Sequence, residues 1–264
     1  MARPNVLALA FLVLACVMVA SSIDVLETDS GLLFINIPMH NETLRNFIHP
    51  SVEVDTFNGS GWVTLMVYHI DSLKGKLLGH WVPLGGAGML VKTVTYVTHG
   101  DKKGYLILSM DFDSSIMGGI ESLGCKATQK GVLCRHANEI KLTKEHVTLS
   151  STEGATITGS FSISNQSAPS DLLTWFIKRD FKFLQDGSHV SMTPSLGKSG
   201  AKVTCPSVGA TVQSAGVGIG STLLSTRFGW TEEQQVDICA NGECFFSHGC
   251  VFVDETSETV VIHE

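Results

Sequence analysis

The sequence predicts a mainly β protein of the α+β class, in which an antiparallel sheet closes or nearly closes into a barrel with two or more packed helices. Three observations predict this class. Apolar residues alternate with period two along most of the chain, short turn motifs bound the alternating stretches, and two segments have the spacing of capped amphipathic helices. The chain has 264 residues and 44% hydrophobic content without a repeat or a Pro/Ser-rich linker. We therefore expect one domain over 23–264, with a cysteine-rich extension over about 193–264.

The predicted strands are rich in β-branched and aromatic residues. The best hairpin joins 52–57 to the strand that begins at Trp62, because Asn58-Gly59 tolerates the positive φ angles that a two-residue turn requires. The other strands are predicted at 62–68, 90–97, 104–110, 139–149, 156–163 and 189–192.

Two segments have a helical pattern instead. The longer helix begins at the Ser170-Asp171 cap, has an apolar stripe along one side and ends at the Asp186-Gly187 turn. The shorter helix covers 116–123 behind a serine cap. Both are expected to pack on the sheet.

The first 22 residues predict a secretory signal peptide. Arg3 supplies the positive n-region, residues 6–20 are almost entirely apolar, and the small residues 20–22 form a cleavage site before Ile23. We expect a secreted or secretory-lumen protein; an uncleaved signal anchor is the alternative. No later stretch has the ~18 to 20 apolar residues that a membrane helix requires, so we expect no membrane anchor.

Three Asn-x-Ser/Thr sites agree with a secretory route. Asn41, Asn58 and Asn165 each lie among turn-forming residues, where an attached glycan would stay in water. We predict N-glycosylation at these sites.

Six cysteines remain after the signal peptide. An even number in an oxidising compartment favours up to three disulfides, and we expect Cys125 to pair with Cys134. The alternative is a zinc site over 239–250, where three cysteines and a histidine crowd together; we favour disulfides and expect no metal. The six are Cys125, Cys134, Cys205, Cys239, Cys244 and Cys250.

The charge of the chain restricts its partners. The formal net charge is −7, and loss of the signal peptide removes one further positive residue, Arg3. This balance argues against nucleic acid or anionic lipid as a partner.

Four sequence blocks, in order along the chain, resemble the YqjF-like domain of unknown function within the acetoacetate decarboxylase-like superfamily. They lie at 52–63, 95–99, 104–114 and 170–183, and the resemblance covers about 47–189. It implies a cone-like β-barrel around a small-molecule cavity. Because the family has no known function, it implies less about activity.

The resemblance directs attention to Lys92. In acetoacetate decarboxylase, a lysine in an apolar cavity beside a second lysine forms a Schiff base with a ketone. Lys92 is the nearest candidate, and alternation places Val94 and Tyr96 on its face of the strand. The sequence favours a solvated Lys92 on the barrel exterior, because it has no adjacent lysine; an inward amine is the alternative.

The remaining candidates are polar residues in the same blocks. Asp111 and Asp113 share a strand face with Ser109, which would give an acid and a base or a cation site, although Asp113 also suits a helix cap. The Glu-Arg pair of the family's helix block appears here, reversed, as Arg179-Asp180. We take Tyr96, Ser109, Arg179 and Asp180 as candidate ligand-binding residues and Lys92 and Asp111 as candidate catalytic residues.

Three functions compete at this point. The favoured one is a secreted, disulfide-linked glycoprotein whose barrel binds a small, mainly apolar molecule without converting it. The second is a Schiff-base or acid–base enzyme, decarboxylase- or lyase-like, that acts on a small keto acid or carbonyl compound through Lys92. The third is an extracellular structural or interaction protein that makes its contacts through the cysteine-rich extension. None of these requires a cofactor.

Overall fold

The computed structural model describes most of the predicted β region. The signal peptide and the predicted helix at 116–123 lie outside the described residues. Among the described residues, no helix is long and apolar enough to cross a bilayer. These residues are 25–77, 80–85, 87–112, 133–143, 146–151, 155–167, 171–177, 179–185, 189–194, 207–221, 244–248, 250–254 and 260–262.

The described residues form fifteen strands and two short helices. The helices are α1 (Asn41–Arg45) and α2 (Asp171–Ile177). The strands are β1 (Val25–Met39), β2 (Glu53–Val54), β3 (Gly61–Leu77), β4 (His80–Gly85), β5 (Gly88–His99), β6 (Lys102–Phe112), β7 (Leu133–Leu142), β8 (His146–Ser151), β9 (Ala155–Ser167), β10 (Phe181–Gln185), β11 (Val190–Pro194), β12 (Ser207–Ser221), β13 (Cys244–His248), β14 (Cys250–Asp254) and β15 (Val260–Ile262).

All fifteen strands belong to one sheet, in the order β15-β11-β10-β6-β7-β8-β9-β12-β13-β1-β3-β5-β2, with β14 on β1 and β4 on β3. The described pairings are antiparallel except for those of β6 with β7 and with β10. β6 also pairs along its length with β5, which lies near the other end of that order. The fold is mainly β, as predicted; closure into a barrel stays a prediction.

The extension beyond residue 193 contributes strands to this same sheet. β12 pairs with β9, β13 and β14 pair with β1, and β15 pairs with β11. Its described strands are therefore built into the sheet.

Both faces of the central strands are buried. On β5, Val91 and Val97 contribute to a cluster that continues over β1, β3, β6, β7, β10 and β11. Val94 and Tyr96 contribute to a second cluster, which is rich in aromatic residues and includes Phe176 of α2. We call this second side the aromatic face and the first side the opposite face. Burial on both sides explains the nearly continuous apolar sequence of β5 and β6.

The longer predicted helix is wrong in its second half. α2 ends at Ile177, and 181–185 is the strand β10. Phe181 and Phe183 are buried on either side of the partly exposed Lys182, which is the period of a strand. Ladders to β6 and β11 supply the backbone hydrogen bonds that a longer helix would have made.

The Asn58-Gly59 turn is confirmed, but its predicted strand pairing is wrong. Asn58 has φ 52 and Gly59 has φ 80, and Phe57 and Ser60 exchange two backbone hydrogen bonds across the turn. The preceding strand β2, however, pairs with β5. β3 already pairs with β1 on one edge and with β5 on the other, so neither edge is free for β2.

The strand predicted at 139–149 is two strands. β7 ends at Leu142, β8 begins at His146, and the two pair antiparallel. α1 was not predicted from the sequence; its Leu44 is fully buried in the cluster on the opposite face.

Candidate functional site

An aromatic cluster lies where α2 crosses the sheet. The Tyr96 ring centroid is 4.8 Å from that of Trp175 and 5.1 Å from that of Phe176, and Trp62 meets Phe176 edge-on at 5.4 Å. Tyr96 and Trp62 stand on neighbouring strands, β5 and β3. Trp175 and Phe176 are adjacent in α2, so a single turn of this helix packs two rings against aromatic residues of β5 and β3.

A buried cation lies within this cluster. The Arg179 guanidinium carbon is 3.9 Å from the Trp175 ring centroid and 4.8 Å from that of Tyr96. Its Nη1 donates a hydrogen bond to Asp55 Oδ2, and both side chains are almost entirely removed from solvent. Lys103, which is mostly exposed, approaches the other Asp55 oxygen at 3.8 Å. A buried pair with ring contacts on the guanidinium fixes the position of α2 relative to β2.

The Tyr96 hydroxyl begins a chain of hydrogen bonds. Thr64 Oγ1 donates to Asn36 Oδ1 at 2.7 Å, so its oxygen accepts from the Tyr96 hydroxyl, also at 2.7 Å. All three side chains have no more than trace exposure. Burial of the ring raises the pKa of the Tyr96 phenol above its ordinary value, so it remains a neutral donor.

Lys92 lies on the aromatic face, two residues before Val94 on β5. Its side chain is partly buried, and its Nζ is 4.8 Å from the Tyr68 ring centroid. The register places Met66 of β3 on one side of it and Met110 of β6 on the other. The sequence favoured a solvated lysine; in the structure it lies among apolar side chains.

The pair Ser109 and Asp111 lies on the opposite face of the sheet. Ser109 pairs in register with Thr93, and Asp111 with Val91. Ser109 is 0% exposed and Asp111 1% exposed, and the Ser109 hydroxyl has no hydrogen-bond partner among the described residues. The β5–β6 backbone therefore separates both residues from Lys92.

Comparisons with known proteins place this geometry in a wider context. No model of a known protein family matches the chain. An uncharacterised protein, YqjF from Bacillus subtilis, is 29% identical over 87 residues, which are 33% of this chain and 36% of that protein. The matched segment thus spans about a third of the length of this relative.

Solved structures match over nearly the whole chain. Acetoacetate decarboxylase from Legionella pneumophila has a TM-score of 0.59 at 11% identity, covering 89% of this chain and 86% of its own. An acetoacetate decarboxylase-like enzyme from Sphingomonas wittichii RW1 has 0.53 at 10% identity, covering 90% and 93%. The enduracididine biosynthesis enzyme MppR, complexed with pyruvate, has 0.52 at 6% identity, covering 91% and 90%.

Over the matched segment the chain resembles YqjF, and its fold is acetoacetate decarboxylase-like. The resemblance to YqjF is confirmed over an 87-residue segment. Identities this low to the solved structures show the fold alone.

The structure brings together only part of the predicted residue set. Tyr96 and Arg179 are in contact, and Lys92 shares their face of the sheet. Ser109 and Asp111 are buried on the opposite face, and Asp180 is exposed next to the buried Arg179. No described group of three or more His, Cys, Asp or Glu residues is arranged to hold a metal ion.

Sequence reasoning missed the partners of these residues. Asp55 pairs with Arg179, which is 124 positions away in the sequence, and a local sequence pattern cannot predict such a contact. Asp55 does lie in the first resembling block, as Arg179 lies in the fourth. Met66 and Tyr68 were recognised only as strand residues. Pairing of their strand with that of Lys92 would have indicated that all three side chains lie on one face of the sheet.

Some of the predicted modification sites lie among the described residues. Asn41 begins α1 and Asn58 occupies the turn before β3, and both are exposed. Asn165 lies in β9, Cys134 in β7, Cys244 in β13 and Cys250 in β14. Cys125, Cys205 and Cys239 lie outside the described residues.

Proposed function

We propose that this protein is an enzyme that acts on a small carbonyl compound through a Schiff base on Lys92. The observation that carries the proposal is the placement of the partly buried Lys92 between Met66 and Met110. An amine attacks a carbonyl in its neutral form, and apolar surroundings favour that form. A half-buried lysine in such a place also remains accessible to a small molecule.

The chemistry needs no cofactor. The Lys92 amine adds to the carbonyl carbon, a proton passes from nitrogen to oxygen, and loss of water gives the imine. The protonated imine then accepts the electron pair of a bond to the adjacent carbon, from which a carboxylate leaves as CO2 or a proton leaves as H⁺. Because Asp111 lies on the other side of the sheet, it is not within reach as the acid or base for this step.

Related structures support the class of substrate. Two of the similar structures are described as acetoacetate decarboxylase or as an enzyme like it, and MppR was solved with pyruvate bound. These activities belong to those proteins. They favour a carbonyl enzyme over a passive binder for a chain that shares their fold.

Imine trapping tests the proposal. The full-length mature protein is incubated with pyruvate or acetone and sodium cyanoborohydride, and adducts are located by peptide mass spectrometry. We expect one dominant adduct at Lys92 that is absent in Lys92→Ala. Lys103→Ala is the matched control and should keep the Lys92 adduct; in the wild-type protein Lys103, which is mostly exposed, should label only at background level. Equal labelling of Lys92 and Lys103 would contradict the proposal.

A second candidate function is binding without conversion. The contact between the Lys92 amine and the Tyr68 ring favours an ammonium group, because a cation is attracted to the face of an aromatic ring. The site would then hold a small apolar molecule without reaction. A ligand released intact from the purified protein, together with no adduct at Lys92, would favour this function.

The proposal includes the barrel and the secretory route. Pairing of β6 with both β5 and β7 joins the two arms of the sheet, which supports a closed barrel. Exposure of Asn41 and Asn58 suits glycosylation. The signal peptide, the glycans and the disulfides are proposed from the sequence; extracellular interaction through the extension is a remaining alternative.

A further inference from the structure

We propose that Lys92 takes a neutral, apolar aldehyde or ketone in preference to a 2-keto acid. This inference rests on the proposed Schiff-base function and specifies its substrate class. A 2-keto acid carries its carboxylate directly on the reacting carbon. That carboxylate would therefore have to lie beside the Lys92 amine, in contact with the side chains that surround the amine.

On the aromatic face, the residues that strand pairing places next to Lys92 are all apolar or uncharged. Met66 and Met110 are its direct neighbours across the strands. Along its own strand, the next residues on the same face are Leu90 and Val94, both of which belong to the buried cluster of this face. The diagonal neighbours on these strands are Thr64, Tyr68, Ile107 and Phe112.

Two of the polar groups near Lys92 are already engaged. The Tyr68 hydroxyl donates to Met66 Sδ at 3.2 Å, and the Thr64 hydroxyl is bonded to both Asn36 and Tyr96. Among these register neighbours, none carries a positive charge. A carboxylate placed here would lose its water, and these neighbouring side chains would offer it no charged partner in return, which is unfavourable.

Arg179 is too far along the strand to help. It stacks over Tyr96, four residues beyond Lys92 on the same face, a spacing of ~13 Å along a strand. It is also paired with Asp55. The two methionines, in contrast, suit an apolar substrate, because unbranched thioether side chains adapt their shape to apolar partners.

A matched pair of probes tests the inference. In 2-pentanone and 2-oxopentanoate the propyl group and the carbonyl are identical, and a methyl group in the first replaces the carboxylate in the second. Each is incubated with the full-length protein and cyanoborohydride. The Lys92 adduct is expressed relative to the Lys103 adduct in the same digest, which removes the difference in intrinsic reactivity between the probes.

We expect this ratio to be at least about tenfold larger with 2-pentanone, the change that 1.4 kcal/mol of discrimination produces. An equal ratio, or a larger one with 2-oxopentanoate, would overturn the inference and leave the Schiff-base function standing. If neither probe labels Lys92 above Lys103, the proposed function itself fails, and this inference fails with it.

A variant with an added cation provides a second readout. Met66→Arg places a guanidinium beside Lys92, and Met110→Arg does so from the other strand. In each of these variants that retains the folded circular dichroism spectrum, the preference should shift toward 2-oxopentanoate. No shift in a folded variant would show that charge at these positions does not control the choice of substrate, and would overturn the inference.

Discussion

The Arg179 guanidinium is ion-paired with the Asp55 carboxylate and lies 3.9 Å from the centre of the Trp175 ring. The pair joins α2 to the segment after β2, and it is nearly inaccessible to water. It is a buried ion pair in contact with the aromatic rings of this face. Its removal should therefore affect stability more than any exposed charge.

Asp55→Ala should destabilise the protein by ~3–5 kcal/mol, because it leaves the Arg179 charge buried without its carboxylate. Urea unfolding followed by tryptophan fluorescence measures this change. Lys103→Ala, which removes only an exposed partner of Asp55, should cost at most about 1 kcal/mol. A double variant, Asp55→Ala with Arg179→Met, should be more stable than Asp55→Ala alone; the reverse order would refute the pairing.

Tyr96 should make the protein less stable in alkali. The unfolded phenol titrates near its ordinary pKa of 10.0, whereas burial raises the pKa of Tyr96 in the folded state. Below pH 10 both states hold the proton and stability does not change. Above pH 10 only the unfolded state loses it, so the free energy of unfolding falls by up to ~1.4 kcal/mol per pH unit.

Tyr96→Phe isolates this effect. It should lower stability at pH 7 by about 1 kcal/mol through loss of the hydrogen bond to Thr64, and it should make stability fall less steeply above pH 10. Chemical denaturation at a series of pH values gives both quantities. Identical alkaline slopes for the two proteins would show that Tyr96 is not the buried phenol responsible.

Ser109→Ala should leave stability unchanged within ~0.5 kcal/mol, or increase it, because the buried Ser109 hydroxyl has no partner among the described residues. Thr95→Val is the matched control on the neighbouring strand. Thr95 is equally buried but donates to the Trp62 carbonyl at 2.8 Å, so its loss should cost about 1 kcal/mol. A clear loss of stability in Ser109→Ala would reveal a bound partner for that hydroxyl.

Non-reducing peptide mapping should find no disulfide between Cys244 and Cys250. These residues pair with Ile35 and Asp29 along one edge of β1, six positions apart, so roughly 20 Å separates them. That distance exceeds the reach of a disulfide and of a shared zinc ion. If all six cysteines form disulfides and Cys125 pairs with Cys134, then Cys244 and Cys250 pair with Cys205 and Cys239. A Cys244–Cys250 peptide would contradict the register.

Local pattern predicted much of the fold. Alternation identified β3, β5, β6 and β9, and the Asn58-Gly59 turn has the predicted positive φ angles. The second half of the longer helix was missed because Phe181, Phe183 and Leu184 fit a helical stripe as well as a strand. Pairing with β6, almost eighty residues earlier, decides between the two, and such a pairing is not encoded locally.

The candidate site shows the same limit. Alternation correctly placed Lys92 and Tyr96 on one face, since side-chain direction follows from the strand itself. Whether that face is exposed to solvent or covered by α2 depends on where Trp175 and Phe176 pack. A local sequence pattern does not predict that packing. The solvated lysine that the sequence favoured is therefore found among buried neighbours.

Exchange of the carbonyl oxygen with water tests the central claim most directly, because each cycle of imine formation and hydrolysis at Lys92 releases the original oxygen. We expect 2-pentanone labelled with ¹⁸O to lose its label faster with the wild-type protein and with Lys103→Ala than with folded Lys92→Ala, which should match buffer. Exchange at the same rate with Lys92→Ala as with the wild-type protein would contradict the Schiff-base mechanism.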